Sequence, residues 1–203
     1  MVDYWITNGH KWLCTPKGCA FMWISPRMNT YTRPIIISHG FSPNNSSSPF
    51  TDKKKLLSSF AWDGCRDYTA LLTSSSALRL WKKFPNNGII GVRLYIKNLL
   101  NDAVKLLIRE WKLIEDDFPG PIELRDNNTM CLIPLPNTVR GINTIKDNTD
   151  KEAFQLQELL HHKYNIEVPI KCLHGRLYVR ISVHIYNTIK DYERLAQVIK
   201  EIN

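Results

Sequence analysis

The sequence predicts an α/β region followed by an α+β region. Three observations predict this class. Aromatic and β-branched residues fill two short runs, at 4–7 and 20–24, as is typical of strands. Apolar residues recur at three- and four-residue steps from about Leu94 to Ile114, as on a helix with one buried side. After residue 150 the pattern changes to helix, strand pair and helix, without an internal repeat.

Residues 3–38 read as strand, turn, strand and then a third apolar run at 35–37, with glycines at the turns. Residues 40–49 are polar and rich in Asn, Ser and Pro, which predicts a mobile loop. A run rich in Ala and Leu from Tyr68 to Lys83 predicts a helix that closes this region.

The helix predicted over 94–114 would bury one stripe of side chains: Ile96, Leu100, Ala103, Leu107, Trp111 and Ile114. Beyond it, the pattern predicts a strand at 130–135, an Asn-rich loop at 137–149, a helix at 151–162 and strands at 168–173 and 177–186. Thr188 is the expected N-cap of the final helix. The inner face of that helix would carry Tyr192, Leu195, Ile199 and Ile202.

The composition narrows the class of protein. The chain is 43% apolar, and no apolar run approaches the roughly 20 residues that cross a bilayer. We therefore expect a soluble protein without a membrane partner. Residues 1–3 (MVD) resemble neither a secretory signal nor a transit peptide, so the expected location is cytoplasmic, although an extension absent from this chain could carry a targeting segment.

Neither a disulfide framework nor a metal site is expected. The five cysteines are an odd number, and none forms a C-x-x-C pair, which indicates a reducing compartment. His161 and His162 are adjacent on a predicted helix, so they point about 100° apart and cannot easily share a metal. We interpret them as part of a solvated face.

A net charge of +8 allows a second class of function, a basic nucleic-acid-binding module, with residues 53–55 (KKK) as its patch. The other cations are spread along the chain, however, and no nucleic-acid motif is present. We expect no nucleic-acid partner, since an anionic cofactor and a carboxylate substrate would also favour a positive site.

Lys11 is the first candidate for chemistry. It lies between an apolar strand and a glycine turn, in the run 8–12 (NGHKW) that continues into 16–20 (PKGCA). A lysine held out of bulk water loses its proton more easily and can attack a carbonyl group. Most lysines are simply solvated surface groups, so the pattern alone leaves both readings open.

Residues 3–24 closely resemble the lysine segment of the class V aminotransferase family, in particular its isopenicillin N epimerase-like and carbon–sulfur lyase branch. In that family the lysine forms a Schiff base with pyridoxal 5'-phosphate (PLP), and the histidine before it helps to hold the cofactor phosphate. The resemblance therefore implies that Lys11 is catalytic and that His10 binds the cofactor.

Residues 34–40 (PIIISHG) and 60–67 (FAWDGCRD) are similar to the same branch. There a glycine–threonine pair commonly reaches the phosphate across a dimer interface, which implies cofactor contacts for Gly64 and Cys65. Cys65 stands where the family has threonine, and a thiol is a weaker donor than a hydroxyl. Its backbone N–H could still serve.

Arg180 is the implied substrate-binding residue. Its strand alternates core residues with polar ones, and an exposed strand arginine by itself is more often a solvated partner. Residues 180–182 (RIS) and 186–188 (YNT), however, are similar to the C-terminal segment of class V enzymes, where this arginine binds the substrate α-carboxylate. Cys172 could suggest the persulfide cysteine of related desulfurases, but a position inside a strand favours a small buried side chain.

The resemblance implies the end of a fold-type I large domain at 1–90 and the small C-terminal domain at 91–203, in a chain truncated at its N-terminus. It also implies an amino-acid substrate and a homodimer in the full-length form. Epimerase, carbon–sulfur lyase and aminotransferase chemistry stay open, as does the bond that is broken. The alternative is a truncated, non-catalytic remnant of such an enzyme, because the family places the lysine beyond the middle of a chain about twice this long.

Overall fold

The computed structural model describes residues 2–41, 52–62, 64–85, 87–118, 128–139, 142–145 and 147–202. The chain divides into two compact units, Met1–Lys83 and Phe84–Asn203. Helices are mixed with small antiparallel sheets, which fits the predicted mixture of α/β and α+β elements. The predicted boundary between a large-domain end at 1–90 and a small domain at 91–203 stays a prediction.

The first unit begins with a two-stranded antiparallel ribbon, which confirms the first two predicted strands. The ribbon consists of β1 (Tyr4–Asn8) and β2 (Ala20–Ile24), with Trp5 opposite Trp23. Side chains alternate between the two faces of a strand. A ribbon that packs on a core with one face would therefore carry polar side chains on the other. Here both faces carry large exposed apolar groups: Tyr4, Trp5, Ile6, Met22 and Trp23. Such strands are typical of the interior of a larger sheet.

The third apolar run does not form a strand. Ile35, Ile36 and Ile37 are all strongly exposed, since no neighbouring strand among the described residues pairs with them. Gly40 lies close to the carbonyl of Ser58, so close that an added Cβ would overlap it. The predicted mobile loop falls almost wholly outside the described residues, and a helix that the sequence analysis missed, α2 (Asp52–Phe60), follows it.

The helix predicted over 68–83 is two helices, α3 (Thr69–Leu72) and α4 (Ser74–Lys82). Hydroxyl groups at the junction bond back to the preceding turn: Thr73 Oγ1 donates to the Ala70 carbonyl at 3.0 Å and Ser74 Oγ to the Leu71 carbonyl at 2.6 Å. Ser and Thr side chains that bond to nearby carbonyls compete with regular helix geometry, which explains the interruption.

The second unit is built around α5 (Ile89–Trp111), which begins earlier than predicted. The helix ends because Lys112 adopts a left-handed conformation with φ 54°. Five members of the predicted stripe are buried, but Ile114 is 63% exposed because it lies beyond this end.

The sheet of this unit has three antiparallel strands in the order β3-β7-β6. Its strands are β3 (Met130–Pro134), β6 (Ile170–Leu173) and β7 (Arg176–Ser182). Helix α5 packs against β3 and against α7 (Ile189–Glu201), and α6 (Asp150–Tyr164) packs against β6. The four predicted inner residues of the last helix are buried, as expected.

Both later helices begin with caps that are visible in the sequence. The Thr149 hydroxyl accepts the N–H of Lys151, and the Glu152 carboxylate accepts the N–H of Thr149. Thr188 is confirmed as the N-cap of α7, where the Asp191 carboxylate accepts its N–H at 2.8 Å. The Asn-rich loop contains a pair of short antiparallel strands that was not predicted, β4 (Thr138–Val139) and β5 (Ile142–Asn143).

The strand β7 is shorter than predicted, since it ends at Ser182 and not at 186. His184 accepts the N–H of Asn187 on its carbonyl, while the Asn187 side-chain oxygen accepts the N–H of His184. These two bonds form a tight turn that leads into α7. As a result Ile185 leaves the strand and is only half-buried.

All five cysteines are free thiols. Within the described ranges, no helix combines the length and apolarity that a membrane crossing requires. The same residues contain no cluster of His, Cys, Asp and Glu side chains suited to a metal ion. His161 and His162 are exposed and face Glu167 and Glu158 respectively.

Candidate active site

The lysine turn occupies the end of the ribbon. A one-turn helix, α1 (Gly9–Trp12), follows β1, and the N–H of Leu13 donates to the Gly9 carbonyl at 3.0 Å. A Cβ on Gly9 would lie 2.6 Å from the Phe21 ring and 3.2 Å from the Cys19 sulfur. The close approach of β2 therefore requires glycine at this position.

His10 is held by the same strand. Its Nδ1 lies 2.9 Å from the Cys19 carbonyl, and its backbone N–H donates to that carbonyl at 3.3 Å. A carbonyl only accepts hydrogen bonds, so Nδ1 carries the proton and Nε2 is the ring atom that could meet a ligand. The ring is half-buried and fixed in direction.

Lys11 is exposed in the part of the chain that the structure describes. The buried positions of the turn are Gly9 and Leu13, which are four residues apart and therefore share one side of it. Lys11 points to the other side. Its amine is accessible to a carbonyl compound, but the described residues do not desolvate it.

Trp81 is a neighbour of this turn that the sequence analysis missed. Its indole N–H donates to the Leu13 carbonyl at 3.1 Å, and its ring meets the ring of Trp12 edge-on at 6.0 Å. The amphipathic pattern of α4 could have marked Trp81 as buried. No local signal could have identified its partner, which lies 68 positions away in the sequence.

Gly64 and Cys65 lie on a separate loop of the same unit. Gly64 has φ 113°, a conformation that favours glycine, and its carbonyl accepts the Tyr68 hydroxyl at 2.9 Å. Tyr68 stacks on Trp62 at 5.7 Å and lies 5.2 Å below the guanidinium of Arg66. Cys65 is exposed. The loop thus presents an open backbone turn beside a cation, Arg66, that the sequence analysis did not single out.

Arg180 lies on the central strand of the second unit. Its backbone N–H donates to the Pro169 carbonyl, while its side-chain Nε is buried without a hydrogen-bond partner. Buried hydrogen-bond donors nearly always have a partner. The Nε of Arg180 therefore either meets an acceptor from a bound ligand or lowers the stability of the fold. A carboxylate is the acceptor that suits a guanidinium best.

The surroundings of Arg180 combine apolar side chains with an anchored strand end. Leu132 lies directly opposite on β3 and is 39% exposed, and Met130 next to it is 51% exposed. Tyr178, predicted on the polar face, is buried. The Tyr192 hydroxyl donates to the Ser182 carbonyl at 2.7 Å, and burial raises the pKa of this phenol so that it stays protonated. The sheet face can accept a ligand that is part anionic and part apolar.

The structure brings together His10 and Lys11, which are neighbours on α1, and Gly64 and Cys65, which are neighbours on their own loop. Arg180 belongs to the other unit. Cys172 donates its thiol hydrogen to the Asn148 carbonyl at 3.2 Å and is half-buried, which agrees with a structural side chain.

No family model matches the chain. It is 27% identical to an L-cysteine desulfhydrase of Arabidopsis thaliana over 98% of the chain and 42% of that protein. It is 24% identical to an isopenicillin N epimerase of Amycolatopsis lactamdurans, over 99% of the chain and 47% of the relative. A hercynylcysteine sulfoxide lyase of Schizosaccharomyces pombe is 22% identical over 98% of the chain and 45% of the relative.

These similarities confirm the resemblance to the class V aminotransferase family and its isopenicillin N epimerase-like branch. They extend over almost the whole chain at low identity. The chain spans about half the length of the curated relatives that it matches.

Proposed function

We propose that this chain is part of a PLP-dependent enzyme of fold-type I that acts on an amino acid, and that carbon–sulfur bond cleavage is its first candidate reaction. Epimerase chemistry is the runner-up. In this proposal Lys11 carries the cofactor, His10 and the backbone at Gly64 and Cys65 contact its phosphate, and Arg180 binds the substrate carboxylate. The functional form is a homodimer.

One observation carries the proposal. The similarity to proteins named L-cysteine desulfhydrase, isopenicillin N epimerase and hercynylcysteine sulfoxide lyase runs through 98–99% of the chain. Desulfhydrases recur among these relatives, which favours a sulfur-containing amino acid as the substrate. The epimerases keep the second reaction open.

Two parts of the first unit, the turn of Lys11 and the loop of Gly64, carry groups that suit a phosphorylated aldehyde. Lys11, which is exposed, would hold the cofactor through its aldehyde group with loss of water, and its Nζ would move a proton at the substrate Cα once the substrate amine has replaced it. His10, once protonated on both nitrogens, can donate from Nε2 to a phosphate oxygen while Nδ1 stays on the Cys19 carbonyl. The open turn at Gly64 lets backbone N–H groups approach an anion closely. When bound, PLP supplies the electron-withdrawing ring that makes bonds at Cα breakable.

Arg180 would orient the substrate. A carboxylate accepting from its buried Nε would satisfy the donor that has no partner. The exposed Leu132 and Met130 beside it give the rest of the ligand an apolar surface. Anchoring the carboxylate limits which bond at Cα can align with the cofactor, so this residue would act on positioning and not on proton transfer.

A non-catalytic remnant of such an enzyme is the second candidate. Two observations favour it: Lys11 is not desolvated by the described residues, and Cys65 replaces the threonine that the resemblance leads one to expect. This alternative predicts a chain that binds neither PLP nor an amino acid.

Borohydride trapping tests the role of Lys11. The chain is incubated with PLP, reduced with borohydride and mapped by peptide mass spectrometry. We expect a pyridoxyl group on Lys11, loss of this label in Lys11→Arg, and an unchanged label in the matched control Lys17→Arg, an exposed lysine of the same loop. Label on another lysine, or on none, would contradict the proposal and favour the remnant.

Substrate binding tests Arg180 separately. With L-cysteine as the probe, Arg180→Ala should weaken binding at least about tenfold while PLP stays bound, because a charge-assisted hydrogen bond is lost. Arg194→Ala, an exposed arginine of α7, is the matched control and should bind as the wild type does. Loss of PLP in Arg180→Ala would show that this arginine is structural.

A further inference from the structure

We infer that Trp81 is a positioning residue for Lys11: its indole holds the one-turn helix that carries the lysine and thereby sets where the amine lies. The inference rests on the role proposed for Lys11. Nothing in the local sequence around residue 11 indicates this contact, which links two segments of the first unit that are 68 positions apart.

The first contact is a buried hydrogen bond. Trp81 is 4% exposed and Leu13 is 1% exposed, and the indole N–H donates to the Leu13 carbonyl at 3.1 Å. The N–H of Leu13 in turn closes the turn on the Gly9 carbonyl. Both backbone groups of Leu13 are therefore engaged, one by the turn itself and one by Trp81.

The second contact lies one residue closer to the lysine. The Trp12 ring meets the Trp81 ring at 6.0 Å between centroids and 73° between planes, an edge-to-face arrangement that aromatic pairs prefer. Trp81 thus touches residues 12 and 13, directly after Lys11. A shift of the indole would move the backbone that carries the amine.

The turn needs such an external hold. A helix of four residues is too short to be stable alone, because nucleation costs more than one hydrogen bond returns. On its other side, β2 holds the turn through the Cys19 carbonyl and the close contact of Gly9 with Phe21. Helix α4 contacts the turn through Trp81, independently of the ribbon. The amine of Lys11 is therefore placed by contacts on two sides.

Trp111 offers a matched comparison in the second unit. It is 6% exposed, and its indole N–H donates to the Ala196 carbonyl at 3.3 Å, joining α5 to α7. The two tryptophans share burial and hydrogen-bond type, but Trp111 belongs to the unit that does not carry Lys11. Replacing each with phenylalanine removes the same N–H from the protein and keeps an aromatic ring in place.

The experiment compares Trp81→Phe with Trp111→Phe in the full chain. One readout is amide hydrogen exchange of residues 9–15, and the other is the ratio of pyridoxyl label on Lys11 to label on Lys17 after PLP and borohydride. We expect exchange at Leu13 to rise about fivefold and the label ratio to fall at least about fivefold in Trp81→Phe. Both should match the wild type in Trp111→Phe.

Unchanged exchange in Trp81→Phe would overturn the inference. Faster exchange with an unchanged label ratio would also overturn it, because Trp81 would then be merely structural. If the wild type carries no label on Lys11, the proposed function fails, and the exchange readout decides by itself whether Trp81 holds the turn. If Trp81→Phe does not fold, Trp12→Leu replaces it, because the Trp12 side chain is 36% exposed and its loss should be tolerated. We expect the ratio of label on Lys11 to label on Lys17 to fall two- to threefold in Trp12→Leu. An unchanged ratio overturns the inference.

Discussion

The two units of the chain differ sharply in how much apolar surface they bury. Among the described residues, only four buried apolar side chains lie in 1–83, namely Leu13, Cys19, Leu56 and Trp81, and all the others lie in 84–203. The first unit instead exposes large apolar groups on both faces of its ribbon. The unit that carries Lys11 therefore depends on a few contacts, whereas the unit that carries Arg180 has a core of its own.

The largest expected effect is the loss of a core side chain in the second unit. Leu107 is 0% exposed, so Leu107→Ala should destabilise the protein by about 2–5 kcal/mol through lost burial and a residual cavity. Leu72→Ala, at a helical leucine of the first unit that is 75% exposed, should change stability by no more than about 0.5 kcal/mol. Urea denaturation measures both, and equal losses would contradict the contrast.

Amide hydrogen exchange compares the two sheets in the unaltered protein. We expect amides of the central strand β7 to exchange at least about 100-fold more slowly than those of β1 and β2, a difference of about 2.7 kcal/mol in opening free energy. The reason is that α5 packs on β3 and α6 on β6, the two strands that flank β7, while the ribbon exposes apolar groups on both faces. Equal protection would show that the ribbon opens only with the whole fold.

The ion pair between Asp117 and Arg176 should make the second unit sensitive to acid. The two side chains are 19% and 12% exposed and lie 2.9 Å apart. Burial alone raises the pKa of the Asp117 carboxyl, but the N–H of Ile114 and the Arg176 guanidinium outweigh it and hold that pKa below its usual value. The unfolded chain then binds the proton more readily, so stability rises with pH.

This contribution is complete above the unfolded pKa of about 3.9 and is lost as pH falls through the lower folded value. Asp117→Asn should cost about 1–3 kcal/mol at pH 7 and flatten the acid part of the stability curve. Asp102→Asn, an exposed carboxylate of α5, should keep the wild-type curve. Urea midpoints measured from pH 7 to pH 2 decide between these outcomes.

The smallest expected effect concerns helix caps. Thr149→Ala removes the oxygen that accepts the N–H of Lys151 and should cost about 1 kcal/mol. Asn8 occupies the N-cap position of α1 but its side chain caps nothing, so Asn8→Ala should stay within about 0.5 kcal/mol of the wild type. A larger loss at Asn8 than at Thr149, seen in thermal melts, would reverse the expected order.

Those features of the fold and of the candidate site that depend on neighbouring residues could be predicted from the sequence. The strands around Lys11 and the cap at Thr188 follow from side-chain period and capping chemistry, which act over a few residues. The family resemblance is confirmed by relatives over nearly the whole chain. The roles of Lys11, His10, Gly64, Cys65 and Arg180 stay predictions.

The rest depended on which distant residues meet. The alternation of core and polar side chains predicted that β7 runs to residue 186. Hydrogen bonds between His184 and Asn187 form a turn instead, and the strand ends at Ser182. The pattern at 35–37 is strand-like, yet an apolar run becomes a strand only when another strand pairs with it.

The amino-acid sequence by itself determined most of the helices and strands and the N-cap of the last helix, because each depends on neighbouring residues. Tertiary structure alone decided that Lys11 is exposed, that the Trp81 indole donates a hydrogen bond to the turn after it, and that the Nε of Arg180 is buried without a partner. Burial and long-range hydrogen bonds are properties of residues brought together by folding, and no local pattern encodes which partners those will be.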